Sequence, residues 1–248
     1  MSRLKFNGKE LPSFVRYVGR DFSVLPDINV NYTELPRQLG GSFLYAKQGV
    51  RKESLDFILI PSKTSNLEKD AAAFAEWLRG DNFKPSKLEF PETADRYSLS
   101  QVNGSVSVND LFVYGTCSVE FISVDPLNYM NNPLSVTGAS ALNVTYQGSV
   151  PQPFITEITV PSVCSRLKLE SNKDNSFIQL DGSFTTGQKI VIDSDKKVIT
   201  VSGQVNMKVL SLDSNWMVLQ TGTNKLTLSV NNYISTAALK ITSKIANY

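Results

Sequence analysis

Thr186-Gly187-Gln188-Lys189-Ile190-Val191-Ile192-Asp193-Ser194-Asp195-Lys196-Lys197-Val198-Ile199-Thr200-Val201-Ser202-Gly203 is the stretch that decides the fold. Two short runs, 189–192 and 197–201, sit between polar turn residues. Branched side chains favour extended backbone, while Gly supplies the positive φ of a tight turn. The stretch therefore reads as a β-hairpin. Asp193 and Asp195, two apart, would share a strand face as a cation or acid/base pair. With Ser194 between them and Lys196-Lys197 behind, they read instead as its solvated turn.

The same rhythm fills the second half of the chain. Further strands are expected at 142–146, 154–160, 166–169, 176–180, 216–219, 226–230 and 239–245, with turn signals at Asp181-Gly182 and Thr221-Gly222. Short strands at this spacing argue for an antiparallel β-sandwich.

The first half is also mostly strand. Asn7-Gly8, between Phe6 and Leu11, suits a type I′ hairpin turn. Residues 13–18 read as a strand, 27–32 as a half-buried strand by alternation, and 55–60 as a more buried strand closed by Pro61. Residues 97–107, with Asn103-Gly104 inside, read as another hairpin, and 113–124 as a long strand ended by Asp125-Pro126. One segment breaks the pattern. Leu67, Ala71, Phe74, Ala75 and Leu78 fall on one helical face, so a helix is expected near 66–79. Ser65 and Glu68 have capping-box spacing, and Gly80 is a natural stop. Trp77 reads as packing.

Composition shifts near residue 135. Residues 1–134 hold 17 of the 24 aromatics, and residues 135–248 hold seven. Asn128 to Gly138 reads as a linker between two domains, 1–134 and 135–248. The chain's 248 residues suit one large or two small domains at about 150 residues each.

Composition also excludes chemistry. There are no histidines, which removes Ser-His-Asp and Cys-His catalysis and His-ligated metal sites. Cys117 and Cys164 cannot form a four-thiolate site or a disulfide framework and read as small buried hydrophobes. Neither a nucleophile elbow nor a phosphate-binding glycine motif occurs. Hence no catalytic residue, cofactor or metal is expected. The net charge of +2, without a Lys/Arg cluster, gives no case for nucleic-acid recognition. The opening residues lack an apolar leader, and no run is long enough to span a membrane, so synthesis in a cytoplasm and no membrane insertion are expected.

Two features could bind. Tyr32 to Gly41 has no period; it is either a plain loop or an arm lying on a neighbouring subunit, with Tyr32, Leu35, Pro36, Arg37 and Leu39 as anchors. Trp216 is the candidate for sugar stacking, against a reading as a packed strand residue.

The order of these features resembles the distal tail protein (Dit) family of long-tailed, non-contractile bacteriophages. The residues that carry the resemblance are Phe6-Asn7-Gly8, Ala75-Glu76-Trp77-Leu78, Asp95-Arg96-Tyr97 with Val102-Asn103-Gly104, and Val119-Glu120-Phe121 with Asp125-Pro126. In the second half they are Pro153 to Ile158, Gly187 to Asp193, and Asn215-Trp216 with Gly222-Thr223-Asn224-Lys225-Leu226. Ser98 stands where the family pattern has a second Tyr, and Thr221 where a Pro is common. The resemblance implies a mainly β protein: an N-terminal β-barrel or sandwich-like, ring-forming domain with one helix, then a galectin-like antiparallel β-sandwich. It implies a non-enzymatic structural virion protein, a hexameric hub (one ring, or two back to back) joining the tail tube to tail-tip, baseplate or receptor-binding proteins. It places the protein in the virion tail after assembly in the host cytoplasm. The alternative is a carbohydrate-binding adhesion module recognising cell-wall polysaccharide. The galectin sugar motif includes a His that this chain lacks.

Overall fold

The computed structural model describes residues 3–34, 36, 39–60, 66–110, 114–139, 141–231, 233–234 and 237–248. The chain folds as two compact units, Met1–Asn128 with Tyr248, and Tyr129–Asn247. The stretch 128–138, expected to be a linker, is instead two strands, Asn128–Met130 and Leu134–Ala139. Asn131, Asn132 and Pro133 supply only the turn between them. Their turn chemistry was read correctly, but its extent was not.

In the first unit an antiparallel sheet runs Lys9–Glu10, Lys5–Phe6, Ser86–Glu89, Arg96–Asn103, Gly115–Ser123, Arg51–Leu59 and Val15–Phe22. Asn7 and Gly8 take φ of 51° and 73° at its first turn, as the hairpin reading requires. Arg51–Leu59 is paired along its length with Gly115–Ser123 on one side and Val15–Phe22 on the other. Its residues alternate strictly, so Leu55, Phe57 and Leu59 enter the core.

The helix Leu67–Arg79 covers that core face. Its Asn66 side chain accepts the Lys69 amide at 2.9 Å. Asn66 is thus the cap, one residue after the expected Ser65, which lies outside the described residues. Phe74 stacks on Trp77 and meets Phe57 edge-on at 5.2 Å between centroids. Trp77 is buried and its Nε1 donates to the Lys9 carbonyl at 3.1 Å. Gly80 ends the helix with φ of 54°, and a Cβ there would come within 2.7 Å of the Phe6 ring. Only glycine meets both demands.

Two expectations for this unit change. Asn103-Gly104 does not turn a hairpin. The strand ends at Asn103, and the next, Asn109–Asp110, pairs with Gly115–Thr116. Gly104 does have positive φ, so the dipeptide ends a strand without reversing it tightly. The strand expected at 27–32 is real, as Ile28–Glu34, but it is not half-buried.

The second unit is a sandwich. One sheet runs Leu134–Ala139, Ala238–Ser243, Gln152–Thr159, Lys189–Asp193, Val198–Val201 and Gln204–Val205. The other runs Ala141–Tyr146, Gly222–Val230, Cys164–Ser171 and Phe177–Phe184. Their inner faces share one core, with Phe154, Ile158, Ile190 and Ile241 from the first sheet and Val144, Leu167, Leu180 and Leu228 from the second. Every strand expected here is present, though 216–219 shrinks to Val218–Leu219. Asp181-Gly182 is not a turn; it lies inside Phe177–Phe184. A Cβ at Gly182 would stand 3.3 Å from Val209, so the glycine serves close approach in a strand.

Asn224 is fully buried and holds the turn that precedes its strand. Its Oδ1 accepts from the Gln220 amide, and its Nδ2 donates to the carbonyls of Gln220 and Gly222. Replacing Asn224 by Leu keeps the size but strands those groups. We expect a loss of about 1–3 kcal/mol in urea unfolding, with no change in the unfolded baseline.

Candidate assembly surfaces

Ile28–Glu34 and Gly41–Gln48 pair antiparallel with each other, from Ile28 opposite Gln48 to Glu34 opposite Gly41. Among the described residues no other strand joins them. Leu44 is an extra residue between Phe43 and Tyr45, a bulge that increases local twist. A lone two-stranded ribbon is marginal in water. This one carries Ile28, Val30, Tyr32, Phe43, Leu44 and Tyr45, each at least half exposed. The alternation at 27–32 correctly marked a strand with one apolar face, but among the described residues nothing buries that face.

The arm residues can now be placed. Tyr32 lies near the end of the first strand, directly opposite Phe43. Its ring packs across Gly41, where a Cβ would fall 2.7 Å from it. Pro36 and Leu39 are exposed in the connection. Leu35 and Arg37 lie outside the described residues. Of the segment read as loop or arm, Tyr32–Glu34 and Gly41 belong to the two strands of the ribbon. The second strand, which carries Phe43 and Tyr45, was missed; Gly41 to Gln48 does not alternate, and its two aromatics were the available strand signal.

Trp216 is half-buried and packs against the core of the second unit, just before Val218–Leu219. The Asp193 carboxylate accepts the amides of Asp195 and Lys196 at 3.1 and 3.0 Å, the geometry of the turn read from sequence. Among the described residues no three His, Cys, Asp or Glu side chains converge as a metal site would need. Among the described residues no helix is long and apolar enough to cross a membrane.

A second polar feature lies at one end of the first unit's core face. Val18 is an extra residue in Val15–Phe22, so pairing passes from Tyr17 opposite Phe57 to Gly19 opposite Asp56. Without that bulge Arg20 would face outward. With it, Arg20 and Phe22 sit opposite Leu55 and Glu53 and share their side of the sheet. Glu53 and Arg51, two and four residues before Leu55, are buried on the same side. Extending the period of two backward from Leu55 would have found them.

Both cysteines are buried and free. Burial, aided by the Asp56 carboxylate, pushes the Cys117 thiol up to about 11, and burial raises Cys164 as well. The thiolate is the reactive form, so neither is poised as a nucleophile.

Residues 147–242 match the family described as the siphovirus-type tail component, C-terminal domain. The crystal structure of SPP1 Dit, titled a paradigm of hub adsorption apparatus in Gram-positive-infecting phages, shares the fold. Its TM-score is 0.81 at 14% identity, over 98% of this chain and 98% of that one. The activated baseplate of phage p2 with Ca reaches 0.46 at 11% identity, over 93% of this chain and 90% of that one, too remote to inform the surfaces. No curated protein matches the sequence. The likeness to distal tail proteins read from the sequence therefore holds, by family over most of the second unit and by fold over the whole chain.

Cys117 gives a test of this burial. Its protonated thiol favours the fold fully below the ordinary value of 9.0, and that contribution is lost as pH rises toward 11. Urea midpoints for the native chain should therefore fall between pH 9 and 11 relative to Cys117→Ala. A thiol reagent should leave both cysteines untouched near neutral pH until the chain unfolds.

Proposed function

We propose that this siphovirus-type tail component is the distal tail hub of its phage, a structural protein that works through surfaces shown to copies of itself and to neighbouring tail proteins. Six copies close a ring through the first unit, and the second unit is galectin-like. The ring joins the tail tube to the tail-tip, baseplate or receptor-binding proteins within the virion tail.

The observation that carries this reading is the exposed ribbon of residues 28–48. Its apolar residues lie on a fold built of sheets, outside either core, where an isolated monomer gains nothing from them. Exposed apolar patches of this kind mark interaction sites. A closed ring needs two different, complementary faces on each subunit. The ribbon supplies one. The free edge Val15–Phe22, with Val18 57% and nearby Val24 82% exposed, is the natural second. The carbohydrate-binding alternative has less support, since Trp216 leans on the core and the histidine of the galectin sugar motif is missing.

Electron microscopy and light scattering of the purified chain test this. Wild-type protein should form closed rings. The double variant Phe43→Ser, Tyr45→Ser should stay monomeric with an unchanged circular dichroism spectrum, because neither ring belongs to a core. A wild-type chain that remains monomeric when mixed with tail proteins would overturn the reading.

A further inference from the structure

The first unit has a pocket of about 220 Å³ whose walls include Arg20, Arg51, Arg96, Phe22, Phe90 and Tyr97. The Arg20 guanidinium lies between two rings, 4.0 Å from the Phe90 centroid and 4.5 Å from that of Phe22. Arg51 is only 7% exposed. Its Nη2 reaches Glu53 Oε1 at 2.8 Å, while Arg20 Nη1 stands 3.9 Å from Glu53 Oε2. One carboxylate thus serves two guanidiniums, and it does so poorly. The Arg51 Nε and both Glu53 oxygens are buried without a hydrogen-bond partner, so the close contact is charge attraction without alignment. Arg96 adds a third guanidinium, 3.4 Å from Asp95 and far more exposed.

Arg20, Arg51 and Glu53 together carry a net charge of one positive unit, and burying an uncompensated charge and an idle N–H donor is costly. A monoanion with two oxygens fits the planar donors of arginine. A phosphate dianion would leave the group net negative. Leu88, Phe90 and Tyr97 give the wall an apolar part, which suits the methylenes of a glutamate or aspartate side chain, and Thr93, Ser98 and Asn128 give it a polar one.

We propose that this pocket receives the carboxylate of an acidic side chain from a neighbouring protein chain of the assembly. The proposal rests on the assembly reading above and deepens it. It gives the interface a charged anchor, where the ribbon gives it an apolar one. A desolvated ion pair of this kind fixes register between subunits.

Two measurements on the full chain test it. The first follows the arginine Nε–H resonances by NMR while adding N-acetyl-glutamyl-methylamide, its neutral glutaminyl analogue, or inorganic phosphate. The glutamyl probe should shift Arg51 and Arg20 saturably, with a dissociation constant on the order of 1 mM for so small a ligand. The Arg20→Gln variant should weaken that binding about tenfold while leaving the spectrum of the core unchanged. The neutral analogue should do nothing. An equal response to the neutral analogue or tighter binding of phosphate would overturn the proposal, as would no response to the glutamyl probe.

The second measures ring formation by light scattering. Arg20→Gln should raise the concentration needed for assembly about tenfold. If Arg20→Gln rings assemble as the wild type does, the pocket anchors no neighbour and the proposal fails, although the hub reading survives. If instead the wild type forms no rings and binds no tail protein, the hub reading fails with it. The Phe43→Ser, Tyr45→Ser variant should keep binding the probe, which separates the two.

Discussion

The pairing of Arg51–Leu59 between Gly115–Ser123 and Val15–Phe22 is the constraint on which the first unit depends. Nine residues alternate across that strand without interruption. Its inward positions change character along the way. Leu55, Phe57 and Leu59 meet the helix residues Phe74 and Trp77 in an aromatic core, where ring contacts of 5.2 and 6.4 Å add to burial. Glu53 and Arg51 continue the same inward row as charges. One strand therefore builds both the stable part of the unit and the pocket at its end, and the two cannot be shifted independently.

The bulge at Val18 completes this arrangement. A single extra residue turns over every side chain that follows it, and so brings Arg20 and Phe22 to the inward side. The result is costly for an isolated chain. Buried ion pairs seldom repay their desolvation, and this one is poorly aligned. A fold selected only for stability gains more from apolar residues there. The charges make sense where a further group arrives to complete them.

The two units differ in how they dispose of apolar surface. In the second, two sheets cover each other, and the buried Asn224 amide is satisfied within the chain. In the first, the ribbon of residues 28–48 is left uncovered, and it holds three of that half's aromatics, Tyr32, Phe43 and Tyr45. The aromatic excess of the first half thus divides between a core and a surface. Exposed aromatics of this kind are the usual anchors of protein interfaces.

Local patterns were legible in the sequence. Period-two alternation placed the strands of the second unit, helical spacing placed Leu67–Arg79, and Asn7-Gly8 and Ser202-Gly203 marked turns that take positive φ. These depend on a residue and its near neighbours, so sequence determined them. What covers a strand depends on residues far away. Sequence therefore ranked the strand at 55–60 as more buried than the one at 27–32, but could not show that Ile28–Glu34 is left bare. Nor could it separate Gly182, a packing glycine, from the turn glycine Gly187. The grouping of Arg20, Arg51 and Glu53 was decided by the tertiary structure alone, because the bulge that brings Arg20 to the other two is set by pairing between strands about thirty residues apart along the chain.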